Sequence, residues 1–258
     1  MEATQSTSPK KRLSVDSKKT PTPRSITKNK FIYGNYSRYY GYRNLKDDVD
    51  PRIDAFLENK HLWDYKDVLD IGCNSGMITT ELGKKTFVKH ISGIDIDKTL
   101  IQRSTNQIKR LRKGYMGENN NKEFPFNVSF ISGNYVLRDD VLLEIERPQF
   151  DVILCLSVTK WLHLNFGDKG LKQAFKRMFL QLRDGGKLIL EAQPFESYKR
   201  RKKLTNEIFE NYKSINLFPK DFEKYLLSDE IGFKSVSLLE VNKHAVKGFQ
   251  RPIQIFEK

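Results

Sequence analysis

The stretch Asp67-Val68-Leu69-Asp70-Ile71-Gly72-Cys73-Asn74-Ser75-Gly76 decides the fold of this 258-residue chain. An aliphatic run that ends in a glycine-bearing turn, followed by a helix expected to extend through Leu82, reads as a strand-turn-helix unit. The alternation recurs downstream. His90 to Asp95 is the second predicted strand, and the helix after it carries Leu100, Ile101, Ser104, Ile108 and Leu111 on one face. A polar loop from Gly114 to Asn127, with Gly117 and three consecutive asparagines, reads as a flexible insertion before the third strand, Val128 to Ile131. Phe150 to Leu156 is the fourth. Asp168 is read as the N-cap of a helix whose buried stripe is Leu171, Phe175, Met178, Phe179 and Leu182, and Gly185-Gly186 ends that helix before a fifth strand, Leu188 to Glu191. After a basic helical stretch, Val236 to Val241 and Pro252 to Phe256 read as a closing pair. The expected fold is α/β: a Rossmann-like, seven-stranded, mostly parallel sheet with helices on both faces.

The length suits one such domain, placed at residues 31–258, preceded by a tail at 1–30. The tail holds eight basic and two acidic residues with almost no large apolar side chains, so disorder is expected there. Within it, Pro9-Lys10-Lys11-Arg12 and Lys18-Lys19 have the form of a nuclear-import signal, and the expected location is nuclear, with the cytoplasm as a second location. No apolar run approaches the roughly 20 residues that span a bilayer, so a soluble intracellular protein is expected. Cys73 and Cys155, in apolar strand-like surroundings without metal-knuckle spacing, are read as reduced thiols, and no metal is expected. The formal net charge is +14, from 46 Lys and Arg against 32 Asp and Glu. Such a field draws polyanions, although solubility alone accounts for it equally well.

A strand ending in Asp70, a Gly-x-x-x-Gly turn and an acidic residue closing the next strand describe a nucleoside-binding crevice. Gly72 allows the sharp turn, and Asp95 can accept hydrogen bonds from two ribose hydroxyls. A dinucleotide would need a glycine where Asn74 stands, to admit the pyrophosphate. S-adenosylmethionine has no pyrophosphate, so Asn74 is free to bond its methionine end. Taken alone, the glycines fit an ordinary strand-to-helix turn equally well. Asn134 and Tyr135 after the third strand suit the adenine edge, and Leu156 at the end of the fourth suits the pocket floor; each alone also fits a structural role.

Phe31 to Arg43 interleaves six aromatics, Tyr33 and Tyr36 among them, with Arg38 and Arg43. Aromatic faces stack bases and guanidiniums pair with phosphates, so the composition suits a nucleotide end; a buried aromatic staple is the alternative. The basic run within Tyr198 to Lys203 suits an RNA backbone or a solvated helix start. After the fourth strand stands Leu156-Ser157-Val158-Thr159-Lys160-Trp161, where a base-amino methyltransferase carries Asn/Asp-Pro-Pro-aromatic. Lys160 thus places a cation at the methyl acceptor. A terminal phosphate, with a second pKa of ~6, is already anionic and needs no general base, whereas a ribose hydroxyl needs one. Trp161 and His163 are read as packing residues.

These segments together closely resemble the RNA methylphosphate capping enzyme family, the bicoid-interacting type whose vertebrate member caps 7SK RNA. The resemblance runs from Phe31 to the C-terminus. It rests on Tyr33-Gly34-Asn35-Tyr36, Tyr39-Tyr40-Gly41-Tyr42-Arg43-Asn44, the Val68 to Asn74 turn, Gly93-Ile94-Asp95-Ile96-Asp97, Gly133-Asn134-Tyr135-Val136-Leu137, Cys155 to Trp161, and Lys247-Gly248-Phe249-Gln250-Arg251-Pro252. It implies a class I S-adenosylmethionine-dependent methyltransferase that acts on the 5′ γ-phosphate of a small non-coding RNA with a 5′ triphosphate, and that also stabilises the ribonucleoprotein, with a La-related RNA-binding protein as partner. It assigns the cofactor to Arg43, Gly72, Cys73, Asn74, Asp95, Ile96, Asn134, Tyr135 and Leu156. Lys160 and Tyr33 would serve catalysis, with Tyr36, Phe249 and Arg251 holding the RNA end. Two other readings stay open on the residues: a non-catalytic RNA-binding subunit, and methylation of a ribose 2′-hydroxyl or a 5′ monophosphate.

Overall fold

In a computed structural model of the chain, β1 (Asp67–Ile71), β2 (His90–Asp95), β3 (Val128–Ser132), β4 (Phe150–Leu156), β5 (Leu182–Glu191), β6 (Ser235–Leu239) and β7 (Ile253–Glu257) form one sheet in the order β3-β2-β1-β4-β5-β7-β6. The structure describes residues 31–36, 50, 52–114, 123–239 and 251–258. The tail at 1–30, Arg43, the asparagine run and Phe249 lie outside the described residues.

Strand side chains alternate between faces, and here both faces are apolar. Leu69, Ile71, Ile153, Cys155, Leu188 and Leu190 join one core cluster, while Val68, Val152, Leu154, Leu156 and Ile189 join another on the opposite face. A strand buried on both sides needs helices on both sides, which the crossovers supply. These are α1 (Arg52–Glu58), α2 (Met77–Lys85), α3 (Lys98–Gly114), α4 (Thr159–Gln181), α5 (Asn206–Ser214) and α6 (Phe222–Leu226). The pairs β1–β2, β2–β3, β1–β4 and β4–β5 are parallel. β7 runs antiparallel to both its neighbours, β5 and β6.

Four expectations are corrected. Leu111 is 42% exposed, because the buried stripe of α3 ends at Ile108 and the last turn runs past β3 into solvent. Asp168 does not cap the helix that follows it. Its carboxylate instead receives hydrogen bonds from the amides of Asn216 and Leu217 and pairs with the His163 ring at 2.6 Å. A preceding helical segment begins at Thr159 and ends at Gly167, whose φ of 64° and ψ of −170° no helix allows, so the segment with Leu171 and Phe175 starts after that kink, near Asp168 as expected. Gly185 and Gly186 lie inside β5 near a bulge against β4, and the helix ends before them at Gln181. The basic run 199–203 is a turn between the short 3-10 helix Phe195–Tyr198 and α5.

Candidate active site

Parallel strands deliver their carboxyl ends to one edge of the sheet, and the crevice lies there. Gly72 leaves β1 with φ 71°, and a Cβ on it would stand 2.6 Å from the Val158 side chain, so only glycine fits. Asn74 follows with φ 54°. That turn aims the Asn74 amide at Asp95 Oδ2, to which it donates at 2.9 Å, while the Asp97 amide donates to Oδ1 at 2.9 Å. Each oxygen of a carboxylate has two acceptor directions, so Asp95 keeps capacity toward the crevice. Burial raises its pKa, and the amides of Asp97 and Asn74 oppose the rise.

Two adjoining hollows share Tyr33, Gly72, Asp95, Val158 and Trp161 in their walls. Cys73, Asn74 and Leu156 line the first; Ile96, Asn134 and Tyr135 line the second. The structure thus brings together eight of the nine expected cofactor residues, the ninth, Arg43, lying outside the described residues. Tyr135 is also tied into the core. Its hydroxyl donates to Gln181 Oε1 at 2.9 Å and Arg177 lies 4.6 Å over its ring, so its polar end serves the core and not a ligand. The expected packing role of Trp161 is incomplete, since Trp161 also walls both cavities. His163 is fully buried beside Tyr198 and Asp168.

The segment 31–36 lies across the crevice. Asn165 Nδ2 donates to the Ile32 carbonyl at 3.0 Å, Asn35 Nδ2 to Asp97 Oδ2 at 2.5 Å, and Asn74 Nδ2 to the Tyr36 carbonyl at 3.3 Å. Tyr36 therefore touches the cofactor turn through its backbone, while Arg201, from the basic run, covers its ring at 5.3 Å.

The acceptor side is organised by residues that the sequence reading did not single out. Ser157, with φ 60°, donates to Glu191 Oε1 at 2.5 Å. Gln193 accepts from Thr159 Oγ1 and from the Lys160 amide, each at 3.0 Å, and donates to the Ser157 carbonyl. Those bonds fix the first turn of α4, where Lys160 Nζ sits 5.0 Å from the Trp161 ring centroid. Arg251, expected at the RNA end, donates to Glu191 Oε1 at 2.7 Å and to Ser157 Oγ at 3.0 Å. On its other oxygen Glu191 receives Arg52 Nη1 at 2.5 Å, and Arg52 is clasped by Asp50 at 2.6 and 2.9 Å. Asp50, Arg52 and Glu191 are each about 1% exposed. An ionisable residue closing β5 was the one available signal for Glu191; nothing in the local pattern distinguished Arg52.

The residues fit S-adenosylmethionine. The two adjoining hollows share Gly72 and Asp95, and Asp95, closing β2, stands where a ribose diol would be received. Burial raises the Asp70 carboxyl, which borders the first cavity, to about 7, against the pull of the Thr79 hydrogen bond and of Arg52. In the unliganded protein Asp70 keeps a proton that the unfolded chain releases near pH ~3.9, so stability falls as pH rises toward 7. A cationic ligand favours the ionised form. Cofactor affinity is therefore expected to rise between pH 6 and pH 8, by up to about tenfold per unit below the pKa, and Asp70→Asn to flatten that rise in titration calorimetry.

A family model described as Bicoid-interacting protein 3 (Bin3) matches residues 150–258, and one described as a methyltransferase domain matches residues 69–188. The chain is 52% identical over 255 residues to the U6 snRNA methylphosphate capping enzyme Amus of Drosophila melanogaster, covering 97% of this chain and 81% of that protein. It is 38% identical over 276 residues to the 7SK snRNA methylphosphate capping enzyme of Homo sapiens, covering 89% of this chain but only 40% of that longer protein. Among solved structures, an O-methyltransferase family protein from Burkholderia thailandensis shares the fold, with a TM-score of 0.52 at 14% identity over 81% of this chain and 55% of that one.

Proposed function

The chain belongs to the Bicoid-interacting protein 3 family of RNA methylphosphate capping enzymes, and on that premise we propose that it methylates the γ-phosphate of a 5′-triphosphate RNA. It is an S-adenosylmethionine-dependent RNA methyltransferase. The observation that supports the finer reading is that Lys160, its amide held by Gln193, and Arg251, bonded to Ser157 and Glu191, both attach to the segment that follows Leu156 in the wall of the crevice. When bound, S-adenosylmethionine supplies an electrophilic methyl group on a sulfonium. A terminal phosphate oxygen is already an anion at neutral pH, so the chain has no proton to remove. Its work is to hold and aim that anion, and alignment of this kind supplies up to roughly 7 to 11 kcal/mol of a barrier. Gln193 fixes the Lys160 backbone, and Glu191 with Ser157 fixes Arg251.

Lys160→Met is expected to lower turnover on the order of 100-fold while leaving the cofactor dissociation constant unchanged, as the loss of one charged contact made to the reacting group should. The reading itself is tested by offering matched RNAs with triphosphate, monophosphate and hydroxyl 5′ ends to the enzyme with labelled S-adenosylmethionine. Transfer confined to triphosphate RNA is expected. Equal transfer to all three marks an internal acceptor, and tight binding without transfer marks an RNA-stabilising subunit.

The RNA is taken to be a small nuclear species, after the names of the two relatives. A La-related protein on the same RNA, and nuclear import through the Pro9–Arg12 run, complete the proposal.

A further inference from the structure

Tyr65 and Phe87 are 78% and 69% exposed, and they stack on each other with ring planes 8° apart and centroids 6.3 Å apart. They occupy the loops entering β1 and β2, at the sheet edge opposite the crevice. Two large rings held side by side in water run against the usual burial of apolar surface. The backbone beneath them is purpose-held. Tyr65 adopts φ 61°, a left-handed conformation that a bulky residue rarely takes. Its amide donates to the Phe87 carbonyl at 2.8 Å, the Phe87 amide donates to Asp64 Oδ1 at 2.9 Å, and Asp64 bridges Val88. The left-handed backbone at Tyr65 thus holds a large side chain out in solvent.

The surroundings are basic. Lys60, Lys66, Lys84, Lys85 and Lys89 flank the pair in the chain; Lys85 pairs with Glu81 and Lys89 with Asp67, while Lys60, Lys66 and Lys84 meet no carboxylate among the described residues. Parallel exposed aromatic rings with lysines near them in the chain suit unpaired bases on a phosphate backbone.

We propose that Tyr65 and Phe87 form a second RNA contact, a stacking platform for unpaired bases in the body of the RNA. The inference rests on RNA being the substrate, and it extends the binding surface past the methylated end. The five residues of β1 separate platform from crevice, a distance of roughly 17 Å at about 3.3 Å per residue. An RNA that touches both must therefore wrap the edge of the sheet, which a few terminal nucleotides cannot do.

The test compares wild type with Tyr65→Gly, using a 5′-triphosphate stem-loop RNA and a short oligonucleotide of the same 5′ sequence. Glycine takes a positive φ without strain, so the variant is expected to melt no lower than wild type. Its dissociation constant for the stem-loop, read by fluorescence anisotropy, is expected to rise roughly 5- to 100-fold, the equivalent of one lost stacked base. Methyl transfer to the oligonucleotide should be unchanged. Stem-loop affinity within about twofold of wild type, or equal loss on both RNAs, overturns the platform. The binding readout needs no catalysis: if wild type methylates neither RNA yet only stem-loop binding drops in the variant, the platform stands and the capping reading falls.

Discussion

Replacing Asp95 by Ala is expected to raise the dissociation constant for S-adenosylmethionine by roughly 100- to 10,000-fold, with the chain still folded. A carboxylate that receives a ribose diol makes two charge-assisted hydrogen bonds, each worth ~1.5 to 3 kcal/mol. The same side chain also holds the Asn74 and Asp97 amides, so its loss loosens the turn around Gly72. Titration calorimetry of wild type, Asp95→Ala and Asp95→Asn separates the two contributions. Asn keeps one acceptor oxygen for the turn but loses the charge. If Asp95→Ala binds the cofactor as wild type does, the crevice is not where the nucleoside lies.

Arg52→Ala should cost about 3 to 5 kcal/mol of stability, because it strands the buried carboxylate of Asp50 and leaves Glu191 with Arg251 as its one remaining cation. For a domain of this size each kcal/mol moves the melting temperature by ~2 to 4 °C, so a fall of roughly 6 to 20 °C is expected in calorimetry. Glu191→Ala takes the carboxylate from Arg251 while Asp50 still holds Arg52, and the Arg52→Ala/Glu191→Ala double variant should lose less than the sum of the single changes, since the groups share one network. A melting temperature unchanged in Arg52→Ala contradicts the buried ion chain. The network explains why an ion chain lies beneath this crevice. Arg52 borders the cofactor cavity and Arg251 the acceptor side, and the Glu191 carboxylate between them fixes both to β5.

How much of this was legible in the chain depends on how local the signal was. β1, β2 and β4 have the predicted bounds, because each is a short stretch with aliphatic side chains on the buried positions that ends at a turn. Gly72, Asn74 and Asp95 were legible as a site because a turn and a strand end at fixed spacing carry their own geometry. The helix start at Thr159 was hidden. Its first turn is held by Gln193, more than thirty residues away, and no N-cap side chain marks it. Asp168 looked like a cap because its residue type favours one, yet tertiary partners on the loop at Asn216 and Leu217 claimed the carboxylate. Tyr135 follows β3 as expected, and its hydroxyl bond to Gln181 on α4 is a long-range contact that no local pattern marks. Arg52 and Tyr65 were not legible: one is a long-range ion partner, the other an ordinary residue type in an unusual backbone conformation.

The central claim is that the methyl group lands on a terminal phosphate. The direct measurement is to label a 5′-triphosphate RNA with methyl-labelled S-adenosylmethionine and wild-type enzyme, digest the product, and locate the label by chromatography and mass spectrometry. Label on the γ-phosphate of the first nucleotide, stable to phosphatase, is the result expected. Label on a base or a ribose of any nucleotide contradicts the account.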